Sequence, residues 1–336
     1  MIKKIPSLID MHIHLREPGF TNKETVETGL KAAIKGGFGA VLAMPNTNPV
    51  NDDVEVTKFI LKKGLPFKNE IDLYPVSAIT YGLNENAELV NFSEMKKAGC
   101  IAFSNDGLPV QNKEKFKAAL MKGELILSHL EDETNEAISQ IETFREVLNL
   151  SKKGECPIPK LHFCHISKKS TIEVIKKAKD EGLKITAETA PHYFTLTKKD
   201  IDKTGRFKMN PPLGDIEDRK AVIEAVKNGV IDVIATDHAP HTKEEKLKPY
   251  NEAPNGIVGL ETAFSLSYMR FGLDLTLEKM VYAPSKILGI KPKKEIQVDL
   301  GSIYIVRGKN FESKCKITPY EGKILKGKIL WTLIPI

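Results

Sequence analysis

Short apolar runs alternate along this chain with longer stretches in which apolar and charged residues recur at helical spacing. The runs occupy residues 7–11, 39–43, 71–78, 100–103, 124–127, 160–164, 184–187 and 232–235. Each is shorter than an ordinary helix and is bounded by polar or turn-forming residues, so each predicts a buried strand. The intervening spacing predicts helices, notably over 21–35, 169–180, 218–227 and 259–270. The first of these opens on Thr21 and Glu24, spaced as in a capping box. Eight strands separated by helices predict an α/β protein of the (β/α)8 TIM-barrel type. A doubly wound parallel sheet is the main alternative, but neither a GxGxxG fingerprint nor a phosphate-binding loop is present to support it.

Beyond residue 294 the pattern changes. Segments 296–298, 301–306 and 324–330 read as short β pieces joined by Gly-Lys turns. The expected organisation is a barrel over 1–294 and a small β segment over 295–336 packed on it. That makes the β appendage a product mainly of the C-terminus.

Composition adds limits. With 336 residues, 41% hydrophobic and 28% charged, the chain can bury a large core, and a barrel of this size is often one unit. The formal charge of +6 comes from lysines such as Lys62-Lys63, Lys152-Lys153 and Lys176-Lys177 on helix-like stretches. These read as solvated faces, and no aromatic-interleaved basic stripe points to nucleic acid. The four cysteines, Cys100, Cys156, Cys164 and Cys315, form neither a CxxC pair nor a secreted-type framework, so a reducing compartment is expected. No long apolar run follows Lys3-Lys4, which predicts neither a signal peptide nor a membrane span. The expectation is a cytoplasmic protein.

The candidate chemistry sits at the strand ends. Asp10, His12 and His14 recur every second residue, so one face of the first strand presents two imidazoles to one point. Asp106, His129, His165 and Asp237 follow later runs in the same way. In a barrel all these ends open on one face. So many ligand-type groups converging there without a cation would incur desolvation cost with nothing to offset it. Nitrogen and oxygen donors without thiolates favour Zn²⁺, and two ions sharing a carboxylate suit this many ligands. Among the other histidines, His162 is expected to face away from the site as packing, and His238 to point away from its neighbour Asp237. His192 follows the seventh run and is either structural or an approach to the site. Cys164 reads as a core filler. The segments 108–115 and 243–255 are the two candidates for a closing loop.

Asp10-Met11-His12-Ile13-His14-Leu15-Arg16-Glu17-Pro18-Gly19 resembles the metal signature of the dihydroorotases, within the amidohydrolase superfamily. Met44-Pro45-Asn46-Thr47, Asn105-Asp106-Gly107 and Met209-Asn210-Pro211-Pro212-Leu213 are similar to three further family motifs. Thr236-Asp237-His238-Ala239-Pro240-His241, followed by Gly256-Ile257-Val258-Gly259-Leu260-Glu261-Thr262, resembles the eighth-strand signature. The resemblance covers about residues 7 to 265. It implies His12 and His14 as ligands of a first metal, with Asp237 as its axial ligand and the catalytic proton shuttle. It implies Asp106 as the bridging carboxylate and His129 and His165 as ligands of a second metal. Arg16 and Asn46, with His14 beside them, would hold the substrate's carboxylate, and Asn210 and His241 its pyrimidine ring.

The implied reaction interconverts L-dihydroorotate and N-carbamoyl-L-aspartate in de novo pyrimidine (UMP) biosynthesis. A metal-bound hydroxide would attack the ring amide while Asp237 shuttles the proton. The implied cofactor is Zn²⁺, one or two per subunit, and the implied partners are aspartate transcarbamoylase and a second copy of the chain. Three departures from the family pattern stand out: a missing N-terminal β segment, Asn105 where a second Asp is common, and Gly214 where Arg is usual. Two other readings remain: a hydantoinase or allantoinase, which bridges its metals with a carboxylated Lys absent between Gly99 and Gly107, and an inactive structural partner of the transcarbamoylase, which would be expected to lose ligands that are all present here.

Overall fold

In the computed structural model, which describes residues 1–335, the apolar runs become a closed ring of parallel strands. Strands β2 (Leu8–Ile13), β3 (Phe38–Ala43) and β4 (Asp72–Pro75) pair in that order. Strands β5 (Leu125–Ser128), β6 (Lys160–Phe163), β7 (Thr186–Thr189) and β8 (Val233–Ile234) form the other arc. Between the arcs stands Phe103, bridged to Ser77 on one side and Ile126 on the other. The run over 100–103 thus supplies the fourth position without a regular strand. Its place is held by packing. Phe103 is fully buried and stacks on Phe92 at 3.9 Å between ring centroids. Burial of such a ring contributes about 1.5–3 kcal/mol. A parallel bridge between Ile13 and His238, with His14 N donating to His238 O at 2.8 Å, closes the ring.

The helices follow the apolar spacing with one instructive shift. The first runs over Val26–Lys35, not from residue 21, and its cap is Thr25, whose side chain accepts from Thr28 N. Glu24 does not serve a capping box. It is fully buried and accepts from Ser313 Oγ and, at 3.1 Å, from Lys314 N. With Glu24 engaged there, residues 16–24 run as turns, with Phe20 N bonded to Arg16 O and Lys23 N to Phe20 O. The helix over Lys169–Asp180 has the expected bounds, and that over Ile216–Lys227 starts two residues earlier than expected. The helix over Ala263–Leu277 starts later than expected and is interrupted at Gly272, where φ is +77°.

A separate antiparallel sheet has the order β1–β9–β10, from Ile2–Pro6, Lys294–Ile305 and Ile324–Pro335. Its two long strands come from the C-terminal part of the chain. The N-terminal residues pair with them, Ile2 opposite Asp299 and Pro6 opposite Glu295. The first barrel strand therefore starts at Leu8 and not at the chain's first residues. No helix among the described residues is long and apolar enough to cross a membrane.

Candidate metal centre

A cavity of about 230 Å³ opens at the C-terminal ends of the barrel strands. Its walls include His14, Arg16, Asn46, Asp106, His129 and His165, and further round Asn210, Asp237 and His241. His12 lies fully buried beneath it. All the residues expected at the site from the sequence are thus brought together.

Asp106 occupies the middle. Its Oδ1 is 3.1 Å from His12 Nε2, 3.2 Å from His129 Nδ1 and 3.9 Å from His165 Nε2, and its Oδ2 is 3.4 Å from His14 Nε2. Asp237 Oδ1 faces the first pair, 3.6 Å from His12 Nε2 and 3.2 Å from His14 Nε2. Two groups of metal-type donors share Asp106: His12 with His14, and His129 with His165. His12 Nε2 is buried without a hydrogen-bond partner although carboxylates surround it. Burial alone would lower the basicity of His12, yet the charge of Asp106 drives its pKa well above the ordinary value. Burial alone would raise the carboxyl of Asp106, but the charge of His12 holds it well below the usual range. Asp237 is likewise held low against its burial by His14 and His12. A buried cluster that draws positive charge this strongly, with an orphaned imidazole nitrogen, fits a bound cation with nitrogen and oxygen ligands.

Backbone strain concentrates here. Arg16, His165 and Asp237 are non-glycine residues with φ of 59°, 38° and 47°. Such conformations cost of order 1–3 kcal/mol each and persist where the surroundings impose them. Gly256 has φ of +126°, and a Cβ there would sit 2.5 Å from Ala239 O. Its lack of a side chain lets the 255–256 turn close the cavity's rim.

The polar wall is partly self-satisfied. Asn46 Oδ1 accepts from His14 Nδ1 at 2.8 Å, and its Nδ2 donates to Asp106 Oδ2 at 3.1 Å. One N–H of that amide stays free. His241 Nδ1 accepts from Lys23 Nζ at 3.1 Å, which leaves its Nε2–H to donate to Asn255 O at 2.7 Å. Arg16 donates from Nε to Pro240 O at 3.2 Å, and among the described residues no carboxylate caps the rest of its fork. Burial lowers its pKa, as it does that of His14, where the Arg16 charge adds to the effect.

Asn105 is a framework residue. Its Oδ1 accepts from Ile79 N at 2.9 Å and its Nδ2 donates to Thr80 Oγ1 at 2.7 Å. At Gly214 a side chain would meet Asp218 Oδ2 at 2.6 Å. His238 points away, accepting from Gly259 N at 3.2 Å. His192 is buried with Nε2 unpartnered, and burial brings its pKa down to about 4. Cys164 is buried, which pushes its thiol well above the ordinary range.

Two residues have larger parts than the sequence suggested. Glu188, on β7, belongs to no motif, and His162, which alternation assigns to packing, instead meets it. Glu188 Oε1 lies 2.8 Å from His12 Nδ1 and Oε2 lies 3.1 Å from His162 Nε2. Burial pushes the Glu188 carboxyl up, but hydrogen bonds from His12 and His162 outweigh it and bring the pKa to about 2. The available signal was Thr186 and Glu188 alternating with apolar residues in a strand that must be buried on both faces.

The chain matches the family model described as dihydro-orotase-like over residues 3–148. The dihydroorotase of Desulforapulum autotrophicum is 38% identical over an alignment spanning 98% of this chain and 85% of that protein. The dihydroorotase of Pelotomaculum thermopropionicum is 39% identical over the same shares. The L-hydantoinase (dihydropyrimidinase) of Arthrobacter aurescens superposes with a TM-score of 0.80 at 21% identity, over 99% of this chain and 84% of that one. At that identity the likeness is one of fold, the (β/α)8 barrel.

Proposed function

The chain belongs to the dihydroorotase family, and from that premise we propose that it is a cyclic amide hydrolase interconverting L-dihydroorotate and N-carbamoyl-L-aspartate. The observation that carries the reading is Arg16, whose uncapped fork faces the same cavity as Asp106, Asp237 and the four histidines. A planar guanidinium suits a free carboxylate, which these two compounds carry and an unsubstituted hydantoin lacks.

His12, His14 and Asp237 would hold one cation, His129 and His165 a second, with Asp106 between them. The donor set favours Zn²⁺. A bound divalent ion there polarises a carbonyl and lowers the pKa of water. Arg16, with His14 and the free N–H of Asn46, binds the substrate carboxylate, while Asn210 and His241 frame the ring. In hydrolysis, water adds to the ring amide carbon and Asp237 takes its proton at a carboxylate oxygen. Asp237 then passes that proton to the ring nitrogen as the C–N bond breaks. Ring closure runs the same steps in reverse and releases water.

For this chain we propose a part in de novo pyrimidine biosynthesis, in the cytoplasm, with aspartate transcarbamoylase and a second copy of itself as partners. A coupled absorbance assay on Zn²⁺-loaded protein tests the activity. Turnover of hydantoin or allantoin without turnover of dihydroorotate would overturn it. Co-purification with the transcarbamoylase, and mass in solution, test the partners.

A further inference from the structure

His12 is held from behind by a chain of buried polar groups that the reaction itself does not use. Thr186 Oγ1 lies 2.8 Å from His162 Nδ1, His162 Nε2 lies 3.1 Å from Glu188 Oε2, and Glu188 Oε1 lies 2.8 Å from His12 Nδ1. Both imidazoles and the carboxylate are buried to 1% exposure or less. An ionised carboxylate only accepts hydrogen bonds, so both imidazoles donate to it. His12 therefore keeps a proton on Nδ1, so Nε2, on the side of Asp106 and Asp237, is the nitrogen a cation would take. His162 donates from Nε2, its Nδ1 accepts from the Thr186 hydroxyl, and no donor in the chain is left over. The backbone of Glu188 reaches the other half of the site as well: its carbonyl accepts from Ile166 N at 2.8 Å, beside His165.

We infer that Glu188, locked by His162, is a positioning residue for the metal centre: it sets the tautomer and aim of His12 and so governs how tightly the first cation is held. A ligating imidazole whose far nitrogen donates to a carboxylate is oriented and made more basic, and loss of such a partner typically weakens metal binding by about 10–100-fold. A purely structural Glu188 would affect stability alone. The inference rests on the metal centre proposed above, which the unaltered chain tests independently.

The experiment is a chelator-competition titration with Zn²⁺ of the unaltered protein, Glu188→Ala, Glu188→Gln and His162→Gln, with the visible spectrum of the Co²⁺-loaded forms as a second readout. Glu188→Ala should bind one equivalent about 10–100-fold more weakly and shift the Co²⁺ bands. Glu188→Gln, whose amide oxygen still accepts from His12, should recover part of the loss. At saturating metal the defect should lie in kcat with KM near normal, because Arg16 is untouched. Affinities within twofold of the unaltered protein in a folded Glu188→Ala overturn the inference while leaving the centre standing. Should that variant fail to fold, the same criterion applies to Glu188→Gln and His162→Gln. No metal on the unaltered chain would overturn the centre and this inference together.

Discussion

Replacing Arg16 with Met removes the guanidinium and keeps most of the side chain's volume. Met, like Arg, has a Cβ, so the strained φ of 59° at this position is carried unchanged and the fold should suffer little. The loss falls on binding. Arg16 offers five N–H groups, of which Nε is committed to Pro240 O. Of the four that remain, a parallel pair at the tip of the fork can make two charge-assisted hydrogen bonds to a carboxylate. At about 1.5–3 kcal/mol each, these amount to roughly 3–6 kcal/mol. With about 1.4 kcal/mol per decade, kcat/KM for dihydroorotate should fall by about 10²–10⁴, mostly through KM. Arg16→Lys keeps the charge and loses the fork, so it should fall between the two. The assay is initial-rate kinetics of Arg16, Arg16→Lys and Arg16→Met proteins at equal metal content, with a thermal melt as control. A KM for Arg16→Met within twofold of the unaltered protein, at unchanged melting temperature, would refute the carboxylate contact.

Asp237→Asn should retain at least one metal equivalent by elemental analysis and lose about 10²–10⁴ in kcat, the usual worth of a positioned proton shuttle; near-normal kcat would exclude the role. Chelation of the metal should lower the melting temperature. At a thousandfold excess of metal over Kd, binding contributes about 4 kcal/mol, or roughly 6 °C at about 2.1 cal/mol/K per residue for this length. An unchanged melt would contradict the centre. Lys246 is buried, donates to Lys208 O and Pro254 O, and has its pKa lowered to about 7 by burial. Between pH 7 and about 10.4 the unfolded chain binds a proton that the folded chain lacks, so this group makes stability rise with pH by about 1.4 kcal/mol per unit there. Below pH 7 the lysine is charged in both states and adds no slope. Lys246→Met should flatten the dependence between pH 7 and 9 in urea titrations, and identical slopes would refute the assignment.

The barrel was legible because each strand is a compact apolar run and the ligand-type residues follow those runs directly. The run over 100–103 was placed correctly along the chain, but periodicity could not reveal that it reduces to a bridge at Phe103, which depends on packing against Phe92. Thr21 and Glu24 carry a local capping signal that lost to a distant one, because Ser313 and Lys314 claim the Glu24 carboxylate. Glu188 and His162 were hidden for a related reason. A buried carboxylate between two imidazoles is a property of three strands at once, and no single stretch of sequence states it. The pairing of Ile2–Pro6 with β9 also joins residues nearly a whole chain apart.

The seam between β2 and β8 runs through the metal centre, and this sets the order in which the centre can come into being. Asp106, His129 and His165 belong to one continuous stretch, reached by neighbouring strands during synthesis. His12, His14 and Asp237 meet only when residue 13 finds residue 238, the kind of distant contact whose loop-closure entropy delays it. The donors of the second position can therefore be brought together on a shorter chain, whereas those of the first meet only once residue 238 has been reached. Metal bound at the first position would thus act as a seal on closed barrels, and a chain arrested short of Asp237 would lack both that seal and the carboxylate proposed to shuttle the proton.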